Sequence, residues 1–147
     1  MGLFQAFNIS ASGMTAERFR TDVIAENIAN VNTTKTEDGK PYRRKIVTFE
    51  ERPVTPFSQY YSASRNAAIG NGVKVTSVRE DTETDFVMEY DPANPDADEN
   101  GYVSYPNVNT VTEMTNLIDS TRAYEANATA FDASKNMALT GLSIGQQ

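Results

Sequence analysis

Cysteine and histidine are both missing from these 147 residues. Their absence removes thiolate nucleophiles, imidazole bases and Cys/His zinc sites. It also removes disulfides, which suits any compartment and any chain that must stay unlinked before use. Apolar material is thin, with hydrophobic residues at 39% of the chain. No apolar run approaches the ~18–20 residues of a membrane span. Positive charge is short as well: 13 Lys and Arg stand against 20 Asp and Glu, a net charge of −7. That balance argues against a nucleic-acid backbone or an anionic membrane surface as main partner. Phosphate-cradling glycine loops are absent, and no spacing singles out a pair of carboxylates for acid/base work. The residues therefore nominate no catalytic, cofactor or metal site, and the expectation is a protein that is not an enzyme. The first residues, Met1 to Ala6, have no basic stretch before their apolar ones, so no cleaved secretory signal is expected. Ala6 also stands where a myristoylation pattern wants Ser or Thr.

Proline and glycine spare two long stretches, and these define the architecture. From Thr110 to Ser143 there is no proline, and glycine only at Gly141. Met114, Leu117, Thr121, Tyr124, Ala128, Phe131, Ala138 and Leu142 recur at alternating steps of three and four, with Lys135 interrupting. This spacing predicts a helix of about nine turns with one coiled-coil seam. Thr110 to Glu113 reads as a capping box, with Thr110 at the N-cap. Arg122 and Glu125 are spaced to pair along the surface. Residues 3–30 repeat the rhythm at Phe4, Phe7, Ala11, Met14, Thr21, Ala25 and Ile28. A second apolar line, Ile9, Ala16, Phe19 and Val23, lies on an adjacent face. One seam can pair with the C-terminal helix; the second is then left over for other chains, or else both seams face one globular core. This helix should stop at Asn30 or Asn32, since Asn tolerates the left-handed conformation and its amide can bond nearby backbone groups.

The middle is β-rich. Tyr42 to Glu50, Gly72 to Arg79, Phe86 to Tyr90 and Tyr102 to Tyr105 read as four short strands. They predict an antiparallel sheet or small barrel-like module between the helices, an α+β class. The basic run Arg43-Arg44-Lys45 reads as a solvated edge, or as a patch for an acidic surface. Residues 51–71, with Pro53, Pro56, Phe57, Tyr60 and Tyr61, read as a loop. The division expected is 1–34 for the N-terminal helix, 35–106 for the β-rich outer segment and 107–147 for the C-terminal helix.

Asp96 to Gly101 matches the first six positions of a calcium loop of the EF-hand kind. The twelfth position is Asn107 rather than a bidentate Glu, and Pro92 and Pro95 block an entering helix. A turn rich in Asp, Asn, Pro and Gly explains the same residues.

Several runs carry a family resemblance: Ser10 to Arg18, Asn27 to Thr34, Tyr42 to Lys45 with Phe49-Glu50, Gly101 to Val103 with Pro106 to Asn109, Glu113-Met114, and Arg122 to Asn127. Together they resemble the bacterial flagellar basal-body rod proteins, over nearly the whole chain. The Tyr42 strand, the Tyr102-to-Asn109 run and the short length point within that family to a proximal rod member. The resemblance implies a structural subunit of the drive shaft that crosses the periplasm. It implies export by the flagellar type III apparatus without a cleaved signal. It also implies a coiled-coil inner layer of terminal helices with the middle segment outside it. Implied partners are other rod subunits, including copies of itself, the rod–membrane-ring adaptor and the export apparatus. Neither nucleic acid nor membrane insertion is implied. The family motif falls on Asn27, Asn30, Asn32, Asn107, Asn109, Glu113, Tyr124 and Glu125. The helix seams nominate Phe4, Phe7, Ile9, Met14, Phe19, Val23, Ile28, Met114, Leu117, Tyr124, Phe131 and Leu142 as the assembly interface. Thr84 and Gly141 depart from the family's usual Pro and Ala.

Overall fold

The computed structural model describes residues 3–53 and 70–145. Its elements are α1 (Leu3–Ala29), β1 (Lys45–Glu51), β2 (Val73–Glu80), β3 (Val87–Tyr90), β4 (Tyr102–Tyr105) and α2 (Thr110–Ile144). Two long helices flank small strand pairs, as the α+β reading expects. The aromatics Phe57, Tyr60 and Tyr61 of the expected loop lie outside the described residues.

Side-chain chemistry sets both helix ends, with the cap of α2 one residue earlier than expected. Asn109, not Thr110, caps α2: its Oδ1 accepts the Thr112 N–H at 3.1 Å. Its carbonyl accepts the Glu113 N–H at 2.9 Å. Glu113 therefore sits one position too late for a capping box, and its carboxylate is free to turn elsewhere. At the end of α1, Asn30 donates Nδ2–H to the Glu26 carbonyl at 2.9 Å. Among the described residues no non-glycine has positive φ, so Asn30 ends the helix through its amide and not as a left-handed cap. No ion pair joins Arg122 to Glu125.

The strands form two separate two-stranded sheets, β1 with β2 and β3 with β4, instead of one sheet or barrel. β3 and β4 are antiparallel, with Val87 opposite Tyr105 and Tyr90 opposite Tyr102. The break follows β2. Asp81 accepts the N–H groups of Glu83 and Thr84, both at 3.1 Å, and folds the chain into a turn. Asn107 Nδ2 then takes the carbonyls of Asp81 and Thr84 at 2.9 and 3.1 Å. Those carbonyls bond side chains, Asp81's taking Arg43 as well as Asn107, rather than a neighbouring strand.

Contacts divide the chain into two units, each drawing on both helices. One holds residues 1–19, 49–76 and 120–147, and the other 20–48 and 77–119. In the first unit the helices run antiparallel. Phe7 packs on Phe131 with ring centroids 4.9 Å apart. Gly13 lies against the Asn127 side chain. Ser120 Oγ donates to the Glu17 carbonyl at 2.9 Å. Ser10, Ser12, Ala16 and Ser134 are buried with them.

The buried face of α2 keeps Leu117, Ala128, Phe131 and Ala138 of the expected seam, while Glu113, Ser120 and Asn127 lie inward one place before Met114, Thr121 and Ala128. Glu113, Ser120 and Ser134 are buried on it, beside half-buried Leu117, Asn127, Phe131 and Ala138. Met114, Tyr124 and Leu142 are exposed. On α1 the outcome is mixed, with Phe7, Ala11, Met14, Thr21 and Ile28 of the expected seam half-buried. Ala16 and Val23, expected on the leftover line, are buried, while Phe4 and Ala25 of the expected seam are exposed. Small residues decide this, because Gly, Ala and Ser let backbones approach where larger side chains would hold them apart.

Gly72 is the position where a backbone demand is sharpest. Its φ is +93°, and an added Cβ would stand 2.1 Å from Ser12 Oγ and 3.4 Å from the Ile9 Cα. Ser12 Oγ meanwhile accepts the Val73 N–H at 3.1 Å and donates to the Ile9 carbonyl at 2.7 Å. Gly72→Ala should lower unfolding free energy by about 1–3 kcal/mol in urea titration. The neighbouring Asn71→Ala serves as the control.

Candidate functional site

The second unit is built around a polar cluster that joins the end of α1, the start of β1, the turn after β2 and the first turn of α2. Asn27 is 1% exposed. Its Nδ2 donates to the Lys45 carbonyl at 2.9 Å and to Glu113 Oε2 at 3.0 Å. Its Oδ1 accepts the Lys45 N–H at 2.8 Å and the Tyr42 hydroxyl at 2.9 Å. Two donors and two acceptors are all in use, which an Asp or a Leu could not match. Asn107 does the same for the turn. Its Oδ1 accepts the Arg44 N–H at 2.9 Å, while its amide holds the Asp81 and Thr84 carbonyls.

Glu113 is the charged centre, also 1% exposed. Its Oε1 accepts Arg44 Nε and Nη2 at 2.9 and 2.7 Å, and Asn116 Nδ2 at 3.2 Å. Arg44 Nη1 reaches Asp81 Oδ2 at 3.7 Å. Buried charge is tolerated only when paired and fully hydrogen-bonded, and both conditions are met here. Around this centre Lys45 pairs with Glu26. Arg43 donates to the Asp81 carbonyl at 2.9 Å, and its guanidinium lies 4.3 Å from the Phe86 ring centre. The basic run is therefore no solvated edge. Its acidic surface is supplied by its own chain.

Two groups of this cluster have displaced pKa values. Backbone hydrogen bonding from Thr84, ahead of the Thr84 hydroxyl, the Glu83 N–H and Arg44, holds Asp81 below the usual carboxylate range. The stability this contributes is present above about pH 3.9 and is lost on acidification. Burial, then the nearby carboxylates of Glu26, Glu113 and Glu80, pushes Tyr42 up to about 12. The hydroxyl must stay protonated, because Asn27 Oδ1 only accepts.

The cluster brings together Asn27, Asn107 and Glu113 of the expected motif. Asn30 and Asn109 serve the helix ends. Asn32, Tyr124 and Glu125 are exposed. Sequence reasoning missed Tyr42, Arg44 and Asp81 as members. The signal available was the basic run itself, set in an acidic chain whose own carboxylates could meet it. Of the seam residues, Phe7, Ile9, Met14, Ile28, Leu117 and Phe131 are half-buried, Val23 is buried, and Phe4, Phe19, Met114, Tyr124 and Leu142 are exposed.

The Asp96–Gly101 loop staples itself. Asp98 Oδ1 accepts the N–H groups of Asn100 and Tyr102, both at 2.8 Å. Asp96 Oδ2 accepts the Thr34 hydroxyl at 2.7 Å. Among the described residues no group of three or more acidic side chains converges as a metal site would need. Nor, among them, is any helix long and apolar enough to cross a membrane.

Comparison with known proteins accounts for where these residues fall. Residues 7–35 match the family profile "Flagella basal body rod protein". Residues 99–144 match "Flagellar basal body rod FlgEFG protein C-terminal". The flagellar basal-body rod protein FlgC of Borreliella burgdorferi is 44% identical over 99% of both chains. FlgC of Bacillus subtilis is 44% identical over 99% of this chain and 100% of its own. FlgC of Salmonella typhimurium is 39% identical over the same shares.

The chain belongs to the FlgC family of flagellar rod proteins.

It is a structural subunit of the bacterial flagellar basal-body rod. The two profile matches fall on the two helices and their junctions, and Asn27 and Glu113, one in each, meet at 3.0 Å. Two expectations follow for this rod protein. Asn27→Ala strips partners from Glu113, Tyr42 and the Lys45 backbone, and should cost about 3 kcal/mol in chemical denaturation. Between pH about 10 and about 12 the unfolded chain releases a Tyr42 proton that the folded chain keeps, so stability should fall as pH rises. Tyr42→Phe should flatten that alkaline slope in thermal unfolding followed against pH.

Proposed function

We propose that the subunit joins copies of itself and other rod proteins, through the outward faces of its terminal helices, in a tubular shaft that carries torque across the periplasm. The observation that carries this reading is the wrong-way-out character of the helices. Phe4 is 79% exposed, Val111 74%, Leu142 69% and Met114 57%, with Phe19 and Tyr124 at 40%. Small and polar residues share the internal seam with Phe7, Phe131 and Val23, and many large apolar side chains face away from it. Such surface on a monomer marks a protein–protein interface.

In this reading residues 1–34 and 107–147 form the inner layer, and residues 35–106 lie outside it. Phe4, Phe19, Met114, Tyr124 and Leu142 make contacts between chains, with the exposed edges of Ile9, Met14, Ile28 and Leu117 beside them. Phe7 and Phe131 bear on assembly through each other. Val23 acts inside the subunit. The polar cluster is the stiff joint: Arg44 and Glu113 tie strand to helix so that load on one is passed to the other. The protein acts without catalysis or a cofactor. It leaves the cell through the flagellar export apparatus without a cleaved signal, and meets the membrane-ring adaptor as well as its fellow subunits.

Phe19→Glu, Met114→Glu and Leu142→Glu separate assembly from folding, because each changes an exposed side chain. Each variant should accumulate normally and unfold within about 0.5 kcal/mol of the parent. In cells lacking the parent protein each should fail to form rods, because contact between chains would bury the new charge. Rods of normal number in isolated basal bodies from all three would overturn the proposal.

A further inference from the structure

The β3–β4 pair has an open side that the helix-based reading does not use. Among the described residues β3 has β4 as its one neighbour. The register is regular from Val87–Tyr105 to Tyr90–Tyr102, with no bulge. Asp91 donates its N–H to the Gly101 carbonyl at 3.0 Å, one step beyond the last pair. In an antiparallel ladder, pairs that exchange hydrogen bonds alternate with pairs that do not. Glu89 and Val87 therefore turn their backbone groups to β4, while Met88 and Tyr90 turn theirs to the open edge.

The side chains make this edge receptive. The Met88, Tyr90 and Tyr102 side chains share one face, on which Tyr90 is 64% exposed and Met88 55%. Tyr90 and Tyr102 meet edge-on at 5.3 Å. Val103, on the opposite face, is fully buried, while Val87 and Glu89 on that face are exposed. Neither Lys nor Pro guards the edge, as they do on many exposed strands. Charge on the segment that carries it has one sign. From Glu80 to Thr121 there is no Lys or Arg, and Glu83, Asp85, Glu89, Asp96, Asp98 and Glu99 are all exposed. Lys35 shares a pocket with Asp96, Asp98, Tyr102 and Ser104, and Arg43 is held over Phe86.

We propose that the free edge of β3 is a docking site for an extended segment of another polypeptide in which Lys or Arg alternates with apolar residues. The segment adds as a third strand, bonding the outward N–H and C=O groups of Met88 and Tyr90. Its apolar side chains lie on Met88 and Tyr90, and its cations face Glu89 and the acidic turns. The basic run of a second copy cannot serve, because Arg43, Arg44 and Lys45 are engaged inside their own chain.

The test uses the full chain and a synthetic peptide alternating Lys with Val and Tyr, followed by fluorescence anisotropy. The peptide should bind saturably and more weakly as salt rises. A peptide with Glu in place of Lys, and one of the same positive charge interrupted by proline, should not bind. Met88→Pro removes an outward N–H without breaking a ladder bond, and should weaken binding about tenfold with an unchanged unfolding midpoint. Glu89→Lys, which leaves the backbone intact, should weaken it as well. Equal binding of the proline-interrupted peptide, or undiminished binding by both variants, would overturn the proposal. So would self-association of the free protein that Met88→Pro abolishes, since the edge would then belong to a second copy.

Discussion

The pairing of Glu113 with Arg44 and Asn27 is the constraint on which the second unit depends. A carboxylate this deeply buried would cost several kcal/mol without partners. Arg44 and Asn27 supply them from β1's approach and from α1. Once they do, other choices follow. Asn27 must present its amide to Glu113 and its carbonyl oxygen to Lys45 and Tyr42. Arg44 must offer its backbone N–H to Asn107, which in turn fixes the turn after β2. Each residue has its partners on a different segment, so the strand, turn and two helices are positioned together or not at all.

This design differs from that of an ordinary small domain. Few large apolar side chains are buried, and the core among the described residues is Ala16, Val23, Ile24, Tyr42, Val103 and Val108. Directional polar bonds take over the task of defining a unique arrangement, while large apolar residues are left facing outward. For a subunit of the rod this division is physically sensible. Apolar surface gives association between chains without strict geometry, and a satisfied polar joint resists being bent within one chain.

The phase of the helices was legible only in part. Element types and most boundaries follow from proline and glycine placement and from the three-four rhythm. The internal seam does not, because a count of apolar positions favours Met114, Tyr124 and Leu142 over Ser120, Ser134 and Asn127. Close helix approach selects small residues, and polar ones can be buried when they bond back to the backbone, as Ser134 does to Ala130. The same blindness moved the N-cap from Asn109 to Thr110. Either residue type can cap, and the observed choice frees Glu113 for Arg44.

By itself, then, the sequence determined the two long helices, the four strands, the absence of thiol and imidazole chemistry, and the kinship with rod proteins. The helices, strands and missing chemistry rest on local rules of propensity, spacing and residue type, and the kinship rests on the resemblance of whole motifs. Tertiary structure alone decided which helix faces lie inside and that the strands form two sheets. It also decided that the basic run meets acids of its own chain, and that Asn27, Asn107 and Glu113 share one cluster. Those outcomes depend on partners far apart along the chain, and no local spacing records which donor will reach which acceptor.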